Sequence, residues 1–216
     1  MTIIEIELLS DDLSETTRFY KKVLGLDPFA KEKDLVMFRF GATKLIFRKS
    51  ENIRPVYHFA IDVPNNRFEE AYRMMKWRTE IISGGPAGDI VDFTNWDAKS
   101  FYFLDNNGNI LEFITRYSNK TFSNYPFSSN SYINISEIGL VTNNVTELAD
   151  TLVKEYGLPI FHRQPRGDNF MVVGDDDGLL ILGSKGREWY PTKFLSRSFR
   201  TRVLFFHGGN VGHIVR

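Results

Sequence analysis

Hydrophobic and polar positions alternate along the first stretch of the chain, Ile3-Ile4-Glu5-Ile6-Glu7-Leu8-Leu9. A period of two predicts a half-buried strand. It sets Ile4, Ile6 and Leu8 on one face and Ile3, Glu5 and Glu7 on the other. Ser10-Asp11-Asp12 then offers helix-capping side chains, and the spacing of Phe19, Val23 and Leu24 predicts a helix that Gly25 ends. Asp34–Arg39 and Lys44–Arg48 read as two short strands joined by Gly41-Ala42-Thr43. The same order follows again. Pro55 to Val63 alternates, with Val56, His58 and Ala60 on one face. Phe68, Ala71, Tyr72 and Met75 form a helical stripe, Thr79 to Ile82 a strand, and residues 84–88 a glycine-rich loop. The stretch Ala98 to Arg116 predicts a hairpin: Phe101–Leu104, the turn Asp105-Asn106-Asn107-Gly108-Asn109, and Ile110–Thr115. Glu112 stands in that last strand among apolar neighbours, where a buried carboxylate needs a partner.

A longer regularity organises these elements. From Ile135, ISEIGLVTNNVTELADTLVKEYGLPIF copies IIEIELLSDDLSETTRFYKKVLGLDPF from Ile3. Glu5 and Glu137, Gly25 and Gly157, and Phe29 and Phe161 are each 132 positions apart by subtraction, which argues for a duplicated unit. Leu179–Leu182 matches Lys44–Phe47, giving three copies at about 3–50, 55–116 and 134–184. The expected fold is α+β, with repeated βαβββ units. Residues 1–116 form a module in which units one and two pair, 117–133 a Ser/Asn-rich linker, 134–191 a third unit and 192–216 a basic, aromatic tail. An unpaired third unit exposes a strand edge and an apolar face. That predicts a homodimer through the third units, or a tail folded over the edge.

Composition narrows the chemistry. The 216 residues are 42% hydrophobic and 25% charged, a globular balance with enough chain for a core. Lys+Arg and Asp+Glu number 27 each, so charge gives no reason to expect a nucleic-acid partner. With no cysteine, disulfides, thiol nucleophiles and Cys-type zinc sites are excluded. No apolar run approaches the roughly 18 residues that span a membrane, and the N-terminus lacks a basic-then-apolar signal. A cytoplasmic protein without a membrane partner is expected. Nineteen Phe and nine Tyr suit an aromatic-lined pocket, and equally a curved sheet that needs large side chains to fill it.

Several segments taken together resemble the vicinal oxygen chelate superfamily, which holds glyoxalase I, bleomycin-resistance proteins and extradiol ring-cleaving dioxygenases. They are Asp12-Leu13 with Phe19-Tyr20 and Leu24-Gly25-Leu26, the strand His58-Phe59-Ala60, and Asp105, Gly108-Asn109 and Leu111-Glu112-Phe113. The resemblance implies two βαβββ units paired into a curved mixed sheet around a cavity, plus a third half-unit. It implies metal ligands on first and last strands: Glu5, His58 and Glu112, with Ile46 at the position that cannot ligate. Parity agrees, for if Ile4 and Ile6 face the helix, Glu5 points inward, and the same logic turns His58 and Glu112 inward. One His and two carboxylates favour Mn²⁺, Fe²⁺ or Mg²⁺, with Zn²⁺ admissible. The ion would polarise a small molecule offering two neighbouring oxygens, in a lyase, isomerase or dioxygenase. Trp96, Phe101 and Lys99 are the candidate substrate contacts, and no residue is singled out as catalytic base. The competing reading is a metal-free binding protein of the bleomycin-resistance type. It is favoured by Glu in place of the first His, and by Glu137, which repeats Glu5 with no fourth unit to supply partners.

Overall fold

The computed structural model describes residues 1–86 and 88–216; Ala87 of the expected 84–88 loop lies outside the described residues. The alternating and striped segments become strands and helices in the predicted order. Unit one comprises β1 (Thr2–Ser10), α1 (Leu13–Lys22), β2 (Ala30–Lys31), β3 (Leu35–Phe40) and β4 (Thr43–Lys49). The Asp12 carboxylate caps α1, accepting from the Ser14 and Glu15 N–H groups at 2.9 Å. Unit two comprises β5 (His58–Asp62), α2 (Phe68–Arg78), β6 (Ile81–Ile82), β7 (Val91–Phe93), β8 (Ala98–Leu104) and β9 (Ile110–Arg116). Unit three comprises β10 (Asn134–Thr142), α3 (Val145–Tyr156), β11 (Phe170–Asp175) and β12 (Gly178–Ser184). Gly157 ends α3 with φ of 68°, a left-handed conformation that glycine adopts without steric cost. The tail is an ordered hairpin, β13 (Arg202–His207) and β14 (Asn210–Val215).

These strands form two mixed sheets. The first runs β14-β13-β1-β4-β3-β2; the second runs β11-β12-β10-β5-β9-β8-β6, with β7 also on β8. In the second sheet β10 lies antiparallel to β5, and each is flanked by the parallel last strand of its own unit, β12 and β9. Two βαβββ units thus pair into a curved mixed sheet around a cavity, but the pairing corrects the expected division of the chain. Unit two joins unit three, not unit one. The reason is visible at the β1 edge, which β13 already occupies with Val203 and Phe205 buried beneath it. Of the two fates expected for an unpaired unit, a tail folded over the edge is the one observed, and the shielded unit is the first.

The linker 117–133 is part of the packing. The Tyr132 hydroxyl donates to the Leu24 carbonyl at 2.8 Å, and the Ala42 N–H donates to the Ile133 carbonyl at 2.9 Å. Gly41 permits that approach, since a Cβ there would lie 2.0 Å from the Ile133 oxygen. One apolar core draws on all three units and the tail, including Phe38, Phe59, Phe113, Ile138, Leu152 and Phe205. A smaller cluster with Tyr102, Ile110, Phe161, Ile181 and Trp189 lies on the far side of the second sheet, and its Tyr102, Ile181 and Trp189 line the cavity there.

Candidate metal centre

In the second sheet three side chains converge. One ligand atom each of His58, Glu112 and Glu137 lies within 4.8 Å of the others, and all three residues are buried. Local backbone structure sets their aim. His58 opens β5, and Glu112 lies in the middle of β9, opposite Ala60, whose small side chain leaves the space open. The pairing of β10 with β5 skips Ser136 between Ile135 and Glu137. Such a bulge re-aims side chains, and here the Ser136 hydroxyl and the Glu137 carboxylate both meet Arg116.

Each of the three side chains has one atom tied away and one left facing the centre. His58 Nδ1 lies 3.1 Å from the Ile110 carbonyl. A carbonyl only accepts, so Nδ1 carries the proton and Nε2 presents its lone pair. Ser100 Oγ donates to Glu112 Oε1, and the Arg116 guanidinium donates to Glu137 Oε1. His58 Nε2 and Glu112 Oε2 then face each other at 3.6 Å with no donor between them. Burial pushes the His58 pKa down to about 4, so the ring is neutral at pH 7. Burial, then the nearby Glu137 charge, raises Glu112; burial raises Glu137 against the pull of Arg116. Arg116 is wholly buried and also binds Asp62 at 2.5 Å and Ser136 at 2.9 Å. With the carboxyls ionised, Asp62, Glu112 and Glu137 against Arg116 leave two negative charges. A single divalent cation matches that surplus, and without one the site takes up protons instead. The donor set therefore fits the group that the sequence expectation called for.

The centre forms the floor of a cavity of about 290 Å³. Its walls are largely aromatic, including Phe93, Trp96, Tyr102, Phe170, Trp189 and Tyr190. Trp189 lies against Gly139, where a Cβ would come within 2.8 Å of the indole, and its ring centroid is 5.4 Å from that of His58.

No protein-family model matches the chain. Among proteins of known role, it is 28% identical over 110 residues to the metallothiol transferase FosB of Staphylococcus haemolyticus, spanning 48% of this chain and 76% of that enzyme. The FosB of Staphylococcus epidermidis matches over the same extent, again at 28% identity. Among solved structures, a candidate dioxygenase of Bacillus subtilis superposes with a TM-score of 0.62 and 17% identity, covering 100% of this chain and 84% of that one. A V278E variant of glyoxalase I from Zea mays gives 0.57 and 14%, covering 90% and 70%. The two structural likenesses concern the fold alone.

In both sequence and fold the chain resembles the vicinal oxygen chelate superfamily.

Within that superfamily fold, the expected ligands part company. His58 and Glu112 come together as parity predicts, but Glu5 lies in the other sheet, bound by Lys44 and Arg202. Glu137 holds the place expected for Glu5, because its unit is the one paired with unit two. The 132-residue offset carried that signal; the missing step was the partner strand. Ile181 stands in β12 at the register that Glu112 holds in β9, two residues beyond the partner of the first-strand ligand, and it too lines the cavity. Trp96 lines the cavity. Phe101 does not: it faces α2, meeting Phe68 at a tilt and Tyr72 edge-to-face, and its neighbour Tyr102 takes the cavity side. Lys99 lies on the Phe101 face of β8 and pairs weakly with Asp92 at 3.9 Å. Glu7 sits buried beneath Arg48, at 2.9 Å, and Arg202, at 3.2 Å. Arg116, Ser100 and Trp189 were not singled out by the sequence. Only the oddity of an arginine ending an apolar strand pointed to the first of them.

Proposed function

We propose that the protein is a divalent-metal-dependent enzyme of the glyoxalase or ring-cleaving dioxygenase type, acting on a small molecule with two vicinal oxygens. His58, Glu112 and Glu137 hold the ion. The observation that carries this reading is the meeting of an imidazole lone pair and two carboxylate oxygens within 4.8 Å of one another. Bound there, a divalent ion such as Mn²⁺, Fe²⁺, Mg²⁺ or Zn²⁺ supplies Lewis-acid polarisation of the two neighbouring oxygens. The chain's own residues do the rest. Ser100 and Arg116 keep each carboxylate to a single free oxygen. Tyr102 stays protonated, because burial and the Glu112 charge raise its pKa well above 10, and so its hydroxyl serves as a donor beside the bound ligand. Trp189 closes one wall against water. The FosB relatives, named as metallothiol transferases, support metal-dependent group transfer as one form of this chemistry.

The Arg116–Glu137 pair favours the second reading, a metal-free binder, since it already offsets one carboxylate. Elemental analysis of purified protein separates the two. The enzyme reading predicts one divalent ion per chain, lost in Glu112→Ala. Ion-free protein that folds normally and cannot be loaded with Mn²⁺ or Zn²⁺ overturns it. We also propose a cytoplasmic homodimer. Its expected contact is the open face of the first sheet, where Phe206, Val211 and Val215 are exposed; sedimentation as a monomer contradicts the dimer.

A further inference from the structure

We infer that the cavity selects a small, flat monoanion, one aromatic ring in size, whose carboxylate is gripped by Arg187 at the end away from the metal-binding floor. The inference rests on the reading of the floor as a metal centre. Three observations lead to it.

The first is charge. With a divalent ion on the floor, the buried charges of Asp62, Glu112, Glu137 and Arg116 cancel. Arg187 is then the unbalanced charge among the cavity-lining residues. No Asp or Glu oxygen of the described residues lies within 4.0 Å of its nitrogens. Half-buried and without a carboxylate, it is poorly solvated, and desolvation lowers its pKa.

The second is presentation. Arg187 leaves β12 on a short strap that returns at Leu195 through a bridge to Glu188. The Arg187 N–H donates to the Ser184 carbonyl at 3.1 Å, and the Arg187 carbonyl accepts from the Ser196 N–H at 2.7 Å. Its guanidinium lies 4.5 Å from the centroid of the Phe170 ring, and only one side-chain donor is used, to the Glu188 carbonyl at 3.2 Å. A stacked guanidinium keeps its in-plane N–H fork free, the geometry that takes a carboxylate bidentately. Ordering it in advance reduces the entropy lost on binding.

The third is shape. About 290 Å³ has room for roughly ten non-hydrogen atoms at about 30 Å³ each, by comparison with liquid water. The aromatic walls favour a flat unsaturated body over a branched aliphatic one. Trp96 meets Phe161 edge-to-face at 5.1 Å and Tyr102 meets Tyr190 at 5.8 Å, so the rings are braced against one another. Gln164 adds a neutral polar contact.

The test compares phenylacetate with its uncharged isostere phenylacetamide, titrated into the full chain and followed by quenching of Trp96 and Trp189 fluorescence. Wild type is expected to bind the acid at least about tenfold more tightly, the size of a charge-assisted pair in a shielded site. Arg187→Gln brings the ratio close to one, while Arg187→Lys, which keeps the charge, retains part of it. Equal affinity in wild type, no quenching by either compound, a preference that survives Arg187→Gln, or equal loss in Gln and Lys variants each overturns the inference. Metal content of the same samples is measured in parallel. A Glu112-dependent ion without anion preference defeats this inference alone; anion preference in protein that takes up no ion defeats the metal reading and leaves the carboxylate grip standing.

Discussion

The two sheets carry the same carboxylate at the same register and use it in opposite ways. Glu5 in β1 and Glu137 in β10 both follow a bulge and both pair first with a parallel last strand, at Lys44 and Leu179 respectively. Their antiparallel partners also correspond. Phe206, Phe205, Leu204 and Val203 of β13 pair with β1 as Asp62, Ile61, Ala60 and Phe59 of β5 pair with β10, each 144 positions apart by subtraction. Strand β13 therefore occupies the place of a fourth first strand, with no helix behind it. One residue further along, Arg202 stands where His58 stands. A guanidinium in place of an imidazole, and Lys44 in place of Leu179, fill the first sheet's site with fixed positive charge. Burial works to raise the Glu5 pKa, but Lys44 and Arg202 outweigh it and hold it below 4.5, whereas Glu137 is raised. The lesson is that register alone does not make a ligand. The neighbouring strand decides whether a carboxylate is offered to an ion or already neutralised.

The comparison breaks most visibly at Arg116. Arg116→Met removes one partner of a buried charge cluster and leaves Asp62 and Glu137 uncompensated, so chemical denaturation is expected to show a loss of about 3–5 kcal/mol. A loss under about 1 kcal/mol means that the cluster is hydrated. Next, Glu137→Gln is expected to weaken Mn²⁺ or Zn²⁺ binding in calorimetry by more than the roughly 10–100-fold typical of outer-shell changes. Glu5→Gln leaves it unchanged; equal effects of the two erase the distinction drawn here. Ser100→Ala, which frees the second oxygen of Glu112, falls within that roughly 10–100-fold range.

A smaller effect appears with pH in metal-free protein. The folded-state pKa of Glu112 is raised, so its contribution is full below 4.5 and is lost as pH rises. His58, held neutral down to about 4, acts the other way and loses stability as pH falls from 6.5. Above pH 6.5 only the carboxyl effect remains, and the melting temperature is expected to fall with rising pH. Glu112→Gln flattens that slope. Added Mn²⁺ flattens it too, because the ion takes the place of the proton. A melting temperature that rises with pH in this window contradicts the assignment. Smallest of all, Lys44→Met in the partly exposed first-sheet network should cost no more than about 1 kcal/mol.

Much of the architecture was legible because its signals are local: alternation at Ile3–Leu9, the cap Asp12, and the 132-residue offset. His58 and Glu112 were legible by parity within one unit. The choice between Glu5 and Glu137 was not, because it turns on which edge β5 joins, a contact between segments about 75 residues apart by subtraction and closed only when β13 shields β1. Parity also misled at β1, where the bulge between Ile3 and Glu5 puts Ile3 in the core beside Ile6 and Leu8. Arg116 was hidden for a related reason: its partners Asp62 and Glu137 come from two other strands, one of them across the unit boundary.

An anomalous difference map from crystals grown with Mn²⁺ or Zn²⁺ tests the central claim most directly. The account predicts one peak per chain, at about 2.0–2.2 Å from His58 Nε2 and from one oxygen each of Glu112 and Glu137. A map with no peak there, or with its peak beside Glu5, contradicts it.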